Sequence, residues 1–452
     1  MRKERLLRNT ALLSASSLLM SLIGMVFQAW LAARIGAAGI GLVQLVGSVT
    51  ALAATFAISG IRFASTRLVA EELGAGRSAG VPAAMRRCLG YAALFGTAAG
   101  LILWLCAAPV GDAWVGDGRT VLSLRLSAFS MPCISLCASL SGYFTGCGRL
   151  WRPTLIHLAE QLAGIVLVGL FLHKAPEGDV EASCAAVVCG RMLADFLSLL
   201  LMLAAYRGDR ARHYPSEESG TKQTGRLLKI ALPLASSAYA RSGLSTARHL
   251  LIPRGLRASG SSADGALAAY GRIHGMALPV LLFPSCILAA AAELIVPELT
   301  RSQVRRENGS IRRAVRAFLG LSLLFACAAA AALCLLARPI GLRVFHSAEA
   351  GHFIRLLAPL VPVMYLDMSV DGCLKGLGQQ VWSMGINIAE SLVGLALVWL
   401  LLPRLGLRGY LFILCATEGL NLLLSMGRLF TVLRAIPEAE ARSSPVWPAQ
   451  TA

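Results

Sequence analysis

GYFTGCGRLWRPTLIHLAEQLAG, residues 142–164, has a degenerate copy in GCLKGLGQQVWSMGINIAESLVG, residues 372–394. Extended without a gap, the pair aligns residues 125–172 with 355–402, and 18 of these 48 positions are identical. The matches include Arg125 with Arg355, Pro132 with Pro362, Gly142 with Gly372, Gly148 with Gly378 and Glu160 with Glu390. Residues of these types set turns, kinks and charges, so a shared bias toward leucine does not account for them. A weaker echo relates LLRNTALLSASS, starting at residue 6, to LLKIALPLASSA, starting at residue 227. The chain reads as one half repeated.

The material of each half is apolar. Of 452 residues, 56% are hydrophobic and 15% charged, against about 25% charged in soluble domains. Runs of about 20 apolar residues, the length a helix needs to cross the hydrocarbon core, recur near 9–33, 41–61, 88–108, 121–146, 154–173, 183–206, 230–252, 264–292, 317–337, 353–375, 382–402 and 409–433. They lack the period-2 alternation of a membrane barrel. The expected fold is an all-α polytopic membrane protein of about twelve transmembrane helices. Six spans per half return the chain to its starting side, so the halves form two parallel-repeat lobes around a central cleft, which is transporter architecture. Residues 1–206 are assigned to the first lobe, 207–228 to a polar cytoplasmic linker, 229–434 to the second lobe and 435–452 to a polar cytoplasmic tail.

The net charge of +18 invites a nucleic-acid reading, but the basic residues alternate by loop. With the N-terminus in the cytoplasm, about 27 of the 42 Lys and Arg lie on that side, the bias of the positive-inside rule. This places both termini in the cytoplasm of a cell-membrane protein and assigns the charge to topology and anionic lipid rather than nucleic acid. The basic MRKERLLRNT is followed by an apolar stretch of full membrane length, so it reads as the start of a span and not as a cleaved signal. The twelve cysteines fall mostly within apolar segments without any CxxC pair, which points to small buried hydrophobes rather than disulfides or a metal. No cofactor, metal site or enzyme motif is legible: GxSxG, HExxH and a Walker loop are absent, and the seven histidines are scattered.

Charges inside spans are costly and turn toward protein or a wet cavity. His157, Glu160 and Gly164 share one helix face, and Asn387, Glu390 and Gly394 repeat the stripe. The glutamates, His157 and Asn387 are candidates for coupling or gating, with a bond to a neighbouring helix of the same lobe as the structural alternative. Ser237, Arg241, Ser245 and Arg248 line one face of the seventh segment, and Arg272 lies in the eighth. A planar guanidinium suits a diphosphate, to which it makes paired charge-assisted hydrogen bonds. These residues, with Arg125 and Arg355, are the substrate-binding candidates. Alternatively, the arginines pair with acids such as Asp367, Asp371 or Glu293, and Arg125 and Arg355 snorkel near the outer interface. Asp367, Asp371 and Lys375 form a mixed stripe on the tenth segment, again a coupling or gating candidate.

LLIPRGLRASG, YGRIHGMALPVLLFPSCILAAAAELIVPELTRSQ and DGCLKGLGQQVWSMGINIAES, with GAAGIGLVQLVGSVTALAATFAISGIRFASTRLVAEE in the first half, resemble the stage V sporulation protein B group of polysaccharide export proteins. That group lies in the multidrug/oligosaccharidyl-lipid/polysaccharide (MOP) flippase superfamily. The resemblance implies two pseudo-symmetric six-helix lobes and the flipping of undecaprenyl-diphosphate-linked sugars, including the peptidoglycan precursor lipid II. Implied partners are the lipid-linked glycan, anionic lipids and envelope-synthesis enzymes, with the chain as a monomer. Two departures stand out: common members carry two further C-terminal helices where EAEARSSPVWPAQTA ends this sequence, and residues 9–33 lack the acidic coupling residue frequent in multidrug exporters. The second counts against the rival expectation, a cation-coupled exporter of small amphiphiles.

Overall fold

The structure, a computed structural model, describes residues 2–176, 178–214, 223–305 and 307–435. Among these residues every regular element is helical, as it must be where no water is present to satisfy a free backbone group. The first half comprises α1 (Arg2–Ile58), α2 (Ile61–Gly74), α3 (Gly80–Pro109), α4 (Val121–Ala128), α5 (Ser130–Gly146), α6 (Trp151–Lys174) and α7 (Val180–His213). The second comprises α8 (Gln223–Ala258), α9 (Ala263–Tyr270), α10 (Leu278–Leu282), α11 (Ser285–Val304), α12 (Asn308–Pro339), α13 (Ala348–Leu357), α14 (Val361–Gly376) and α15 (Gln380–Ala435). Short π-helical and 3-10 turns join several of them. Of the expected linker, residues 215–222 lie outside the described residues, and helix occupies its two ends; of the expected tail, 436–452 lie outside them.

Among the described residues seven helical runs are long and apolar enough to cross a membrane, or nine if the bent pairs α4–α5 and α9–α11 each count as one span. Two of the seven, Leu19–Gly74 and Gln380–Ala435, have 56 residues. At 1.5 Å per residue such a run is about 84 Å long, far beyond a hydrocarbon core of about 30 Å. Each is broken at a glycine in the left-handed half of φ/ψ space, Gly36 (φ 70°) and Gly406 (φ 56°). The expected count of twelve therefore depends on reading each break as a reversal. It also includes α8, whose arginines, serines and two prolines keep it out of the seven. Large apolar side chains such as Leu94, Leu324 and Trp399 are about two-thirds exposed on the outer surface, where acyl chains take the place of water.

Helices of the first half pack mainly on one another, as do those of the second, and α1 and α8 carry the junction. At one end of the cleft α1 meets α9 and the π-helical turn Gly271–Ala277 so closely that glycine is required. A methyl group on Gly41 would collide with the Leu267 carbonyl, and one on Gly271 with that of Ala37. Gln28 donates to the Gly275 carbonyl across the same seam (3.1 Å). Beyond it, Arg119 bridges Asp117 of its own half and Asp264 of the other, each at 2.8 Å, and Arg257 donates to the Gly116 carbonyl at 2.7 Å. At the opposite end Arg226 pairs with Glu71 at 2.5 Å.

The repeated Gly-x-Gly turn is the same object in both halves. Gly148 and Gly378 have φ of 71° and 75°, and the next amide, of Arg149 or Gln379, returns 2.8 Å to the carbonyl of Phe144 or Leu374. This is the Schellman closure of a helix end. The side chains that follow differ. In the first half Arg149 and Arg152 converge on the fully buried Asp209, Arg152 at 2.7 Å, and the Tyr143 hydroxyl donates to the same carboxylate at 2.7 Å. In the second, Arg428 donates to Gln379 at 2.6 Å and stacks over Trp382.

Candidate functional site

A cavity of about 540 Å³ lies between the halves, walled by α1, α8 and α9. Helical spacing explains its lining: Gln44, Ser48, Ala51 and Thr55 share one face of α1, while Arg241, Ser245 and His249 share one face of α8. Several hydroxyls are already committed. Thr55 donates to the Ala51 carbonyl and reaches Ser242 at 3.1 Å, and Thr246 donates to the Ser48 carbonyl. Gln44, Arg241 and Ser245 have no hydrogen-bond or ion-pair partner among the described residues. The cavity thus presents an unneutralised guanidinium, an amide and a hydroxyl together, which is a donor set for an anion.

Of the seven substrate-binding candidates, the structure brings Arg241 and Ser245 into this cavity. Ser237 lies one turn before Arg241 on α8. Arg248 pairs instead with Glu390 of α15 at 2.8 Å, and Arg272 with Glu349 at the start of α13 at 2.5 Å. Arg125 is exposed over the Trp104 ring, 5.5 Å from its centroid, and Arg355 is exposed on α13. In the tenth segment Asp371 pairs with Lys375 at 2.5 Å and accepts from Ser383. Asp367 accepts from Asn421 at 2.8 Å, and its second oxygen is buried with no partner among the described residues. Asn387 donates within its own helix to the Ser383 carbonyl.

A second cavity, of about 420 Å³, is enclosed by α1, α6 and α7 within the first half. There Glu160 accepts from Ser198 at 2.6 Å and lies 3.2 Å from His157. Asp195, Arg191, Gln161 and Gln28 complete the lining. Its two carboxylates give it a polarity opposite to that of the cleft, suited to a proton or a small cation. No group of three or more His, Cys, Asp or Glu that could hold a metal is found among the described residues.

Sequence reasoning missed Arg191 and Asp195, although the rule that flagged Glu160 applies to them equally. It also missed a buried chain in the second half. His249 bonds the Tyr270 hydroxyl at 2.9 Å, His274 bonds that of Tyr410, and the two imidazoles lie 4.9 Å apart. Histidine and tyrosine stand out weakly in an apolar run, and only Tyr270 and His274, at i and i+4, are joined by a helical spacing.

The family model described as polysaccharide biosynthesis protein matches residues 6–292, well over half of the chain. The chain belongs to that family. A second model, MatE, matches residues 259–400. Stage V sporulation protein B of Bacillus subtilis is 23% identical over 420 residues, covering 90% of this chain and 80% of the relative. Among solved structures, an inward-facing multidrug resistance MATE family transporter of the MOP superfamily superposes with a TM-score of 0.74. It is 15% identical, with 93% of this chain and 96% of that one covered. An outward-facing structure of such a transporter gives 0.60 at 14% identity, with 94% and 96% covered. The fold is that of the MOP superfamily, two lobes included.

Proposed function

We propose that the chain is a flippase that moves a polyprenyl-diphosphate-linked oligosaccharide or peptidoglycan precursor across the cytoplasmic membrane by alternating access. The observation that carries this reading is Arg241, unpaired in the cavity between the lobes. Its guanidinium takes two oxygens of the diphosphate, with Ser245 and Gln44 within the same cavity to take others. Membership of the polysaccharide biosynthesis family supports the choice of a lipid-linked glycan over other anions. The higher TM-score to the inward-facing structure and the glycine seam around Gly41 and Gly271 support a resting state closed at the outer end. Substrate moves the lobes only through its differential affinity for the two states.

The test is native mass spectrometry of the purified protein with lipid II, undecaprenyl diphosphate and a cationic dye, repeated on Arg241→Ala. Selective binding of the diphosphate lipids, weakened by about 2–5 kcal/mol in the variant, supports the reading. Binding of the dye alone rejects it.

The carboxylate cavity of Glu160 and Asp195 favours a second reading, a cation-coupled exporter of small amphiphiles. Gradient-dependent dye efflux from vesicles, lost in Glu160→Gln, distinguishes it from the first.

A further inference from the structure

Beside the polar cavity, on the adjoining face of α1, lies an apolar groove of about 410 Å³. Its floor is Val49, Ala53 and Phe56 of α1, and its side is a stripe of α3 running from Phe95 past Ile102 to Cys106. The eleven helical steps from Phe95 to Cys106 span about 17 Å, the length of a single extended chain rather than of a compact molecule. It opens outward: Ile102 is 62% and Phe56 43% exposed.

Groove and cavity are separated only by the seam where α1 meets α8. On the cavity side of that seam Thr55 reaches Ser242; on the groove side Phe56 stacks on Tyr239, ring centroids 4.4 Å apart. Thr55 and Phe56 are neighbours in the chain, as are Ala238 of the cavity and Tyr239 of the groove. The Tyr239 hydroxyl is committed to Ser59 at 2.6 Å, so its ring is what it offers the groove.

We infer that this groove holds the head-proximal part of the polyprenyl tail while the diphosphate lies against Arg241, the Phe56–Tyr239 stack and the Thr55–Ser242 bond parting to let the molecule lie across the seam between the lobes. The inference rests on the reading of the cavity as a diphosphate site. One amphiphile whose charged and apolar parts are joined end to end fits two compartments whose walls are successive residues of the same two helices. Acyl chains are already as apolar as leucine, so the groove gains little by hiding the tail. What it supplies is register, fixing where the head group stands relative to Arg241.

Cys106 lines the groove and is exposed, as is Cys327 on α12 of the other lobe, so the native chain carries both a reporter and a control. In nanodiscs the rates of maleimide labelling of both are read by peptide mass spectrometry. The additions are undecaprenyl diphosphate, inorganic diphosphate or phosphatidylglycerol. With undecaprenyl diphosphate at about ten times its Kd, labelling of Cys106 falls about tenfold, as the unliganded fraction does. Cys327 is unchanged, and neither inorganic diphosphate nor phosphatidylglycerol protects. In Ala98→Trp, which fills the groove from its open side, undecaprenyl diphosphate still binds in an Arg241-dependent way but no longer slows the labelling of Cys106. Protection by phosphatidylglycerol equal to that by undecaprenyl diphosphate means that ordinary acyl chains fill the groove, and it overturns the inference. Arg241-dependent binding of undecaprenyl diphosphate with Cys106 unprotected rejects the groove and leaves the proposed function standing. Absence of any diphosphate-lipid binding removes both.

Discussion

Arg248 lies 2.8 Å from Glu390, while Arg241, two turns earlier on the same helix, has no partner among the described residues. The two arginines therefore fail differently when removed. Arg248→Ala strands the Glu390 carboxylate, which is 13% exposed, and lowers stability by about 3 kcal/mol, the lower end of the cost of breaking a buried pair. The double variant Arg248→Met/Glu390→Gln recovers most of that loss. Arg241→Ala leaves the melting temperature close to wild type and weakens diphosphate-lipid binding instead. Thermal unfolding in detergent, run beside native mass spectrometry, separates the two.

The glycine seam yields a conformational prediction. Gly41→Ala and Gly271→Ala each place a methyl group against a backbone carbonyl that cannot turn aside. Overpacking of this kind costs about 1–3 kcal/mol, and here the cost falls only on the state in which the seam is closed. Distances between spin labels on the two lobes shift toward the open arrangement at that end, by about 5- to 150-fold in population. Unchanged distance distributions in both variants would show that the seam is not a moving contact.

Outside the membrane-spanning segments, Asp117 is subject to opposing influences. Burial raises its carboxyl pKa, but hydrogen bonds and charge from Arg119 prevail and hold it below the ordinary value. A lowered carboxyl pKa contributes stability that is complete above the unfolded value, about 3.9, and is lost as the pH falls through the folded one. The arrangement of Arg119 with Asp117 and Asp264 thus holds unchanged through neutral pH and loosens only below about pH 4. Asp264 is 71% exposed, so Asp264→Asn shifts the lobe equilibrium by only about 0.2–1 kcal/mol, less at high salt. The same spin-label distances, taken against pH and salt, check both statements.

The buried carboxylate of Asp209, held by Arg149, Arg152 and Tyr143, fastens the first Gly-x-Gly turn to the end of α7. Asp209→Ala leaves two arginines and a phenol facing a void and destabilises the protein by about 3–5 kcal/mol. Limited proteolysis at the α5–α6 turn reports the loss locally. Gln379→Ala at the matching turn removes bonds to one arginine and costs about 1.5–3 kcal/mol.

The helices and their breaks were legible because a membrane leaves the backbone little choice, and because Gly148 and Gly378 announce their turns by repetition. Charge pairing was less legible. Arg241 and Arg248 look alike in the sequence, and only the rotation of α8 against α15 decides which meets Glu390. Arg272 finds Glu349, 77 positions away, for the same reason. Asp195 and Arg191 carried a readable signal, since each is a charge within an apolar run, and Glu160 drew the attention instead. The Tyr270, His249, His274 and Tyr410 chain carried little, because only Tyr270 and His274 are spaced at i and i+4, and the others come from two further segments of the second half.

One helix, α1, walls both compartments, with Gln44, Ser48 and Thr55 on one face and Val49, Ala53 and Phe56 on the next. Substitutions on the two faces are separable, since a helix lets neighbouring positions point about 100° apart. Drift along the polar face can retune what is carried, and drift along the apolar face can follow the lipids of the host. Neither change obliges the other, so a single backbone can diversify in cargo without relearning its membrane.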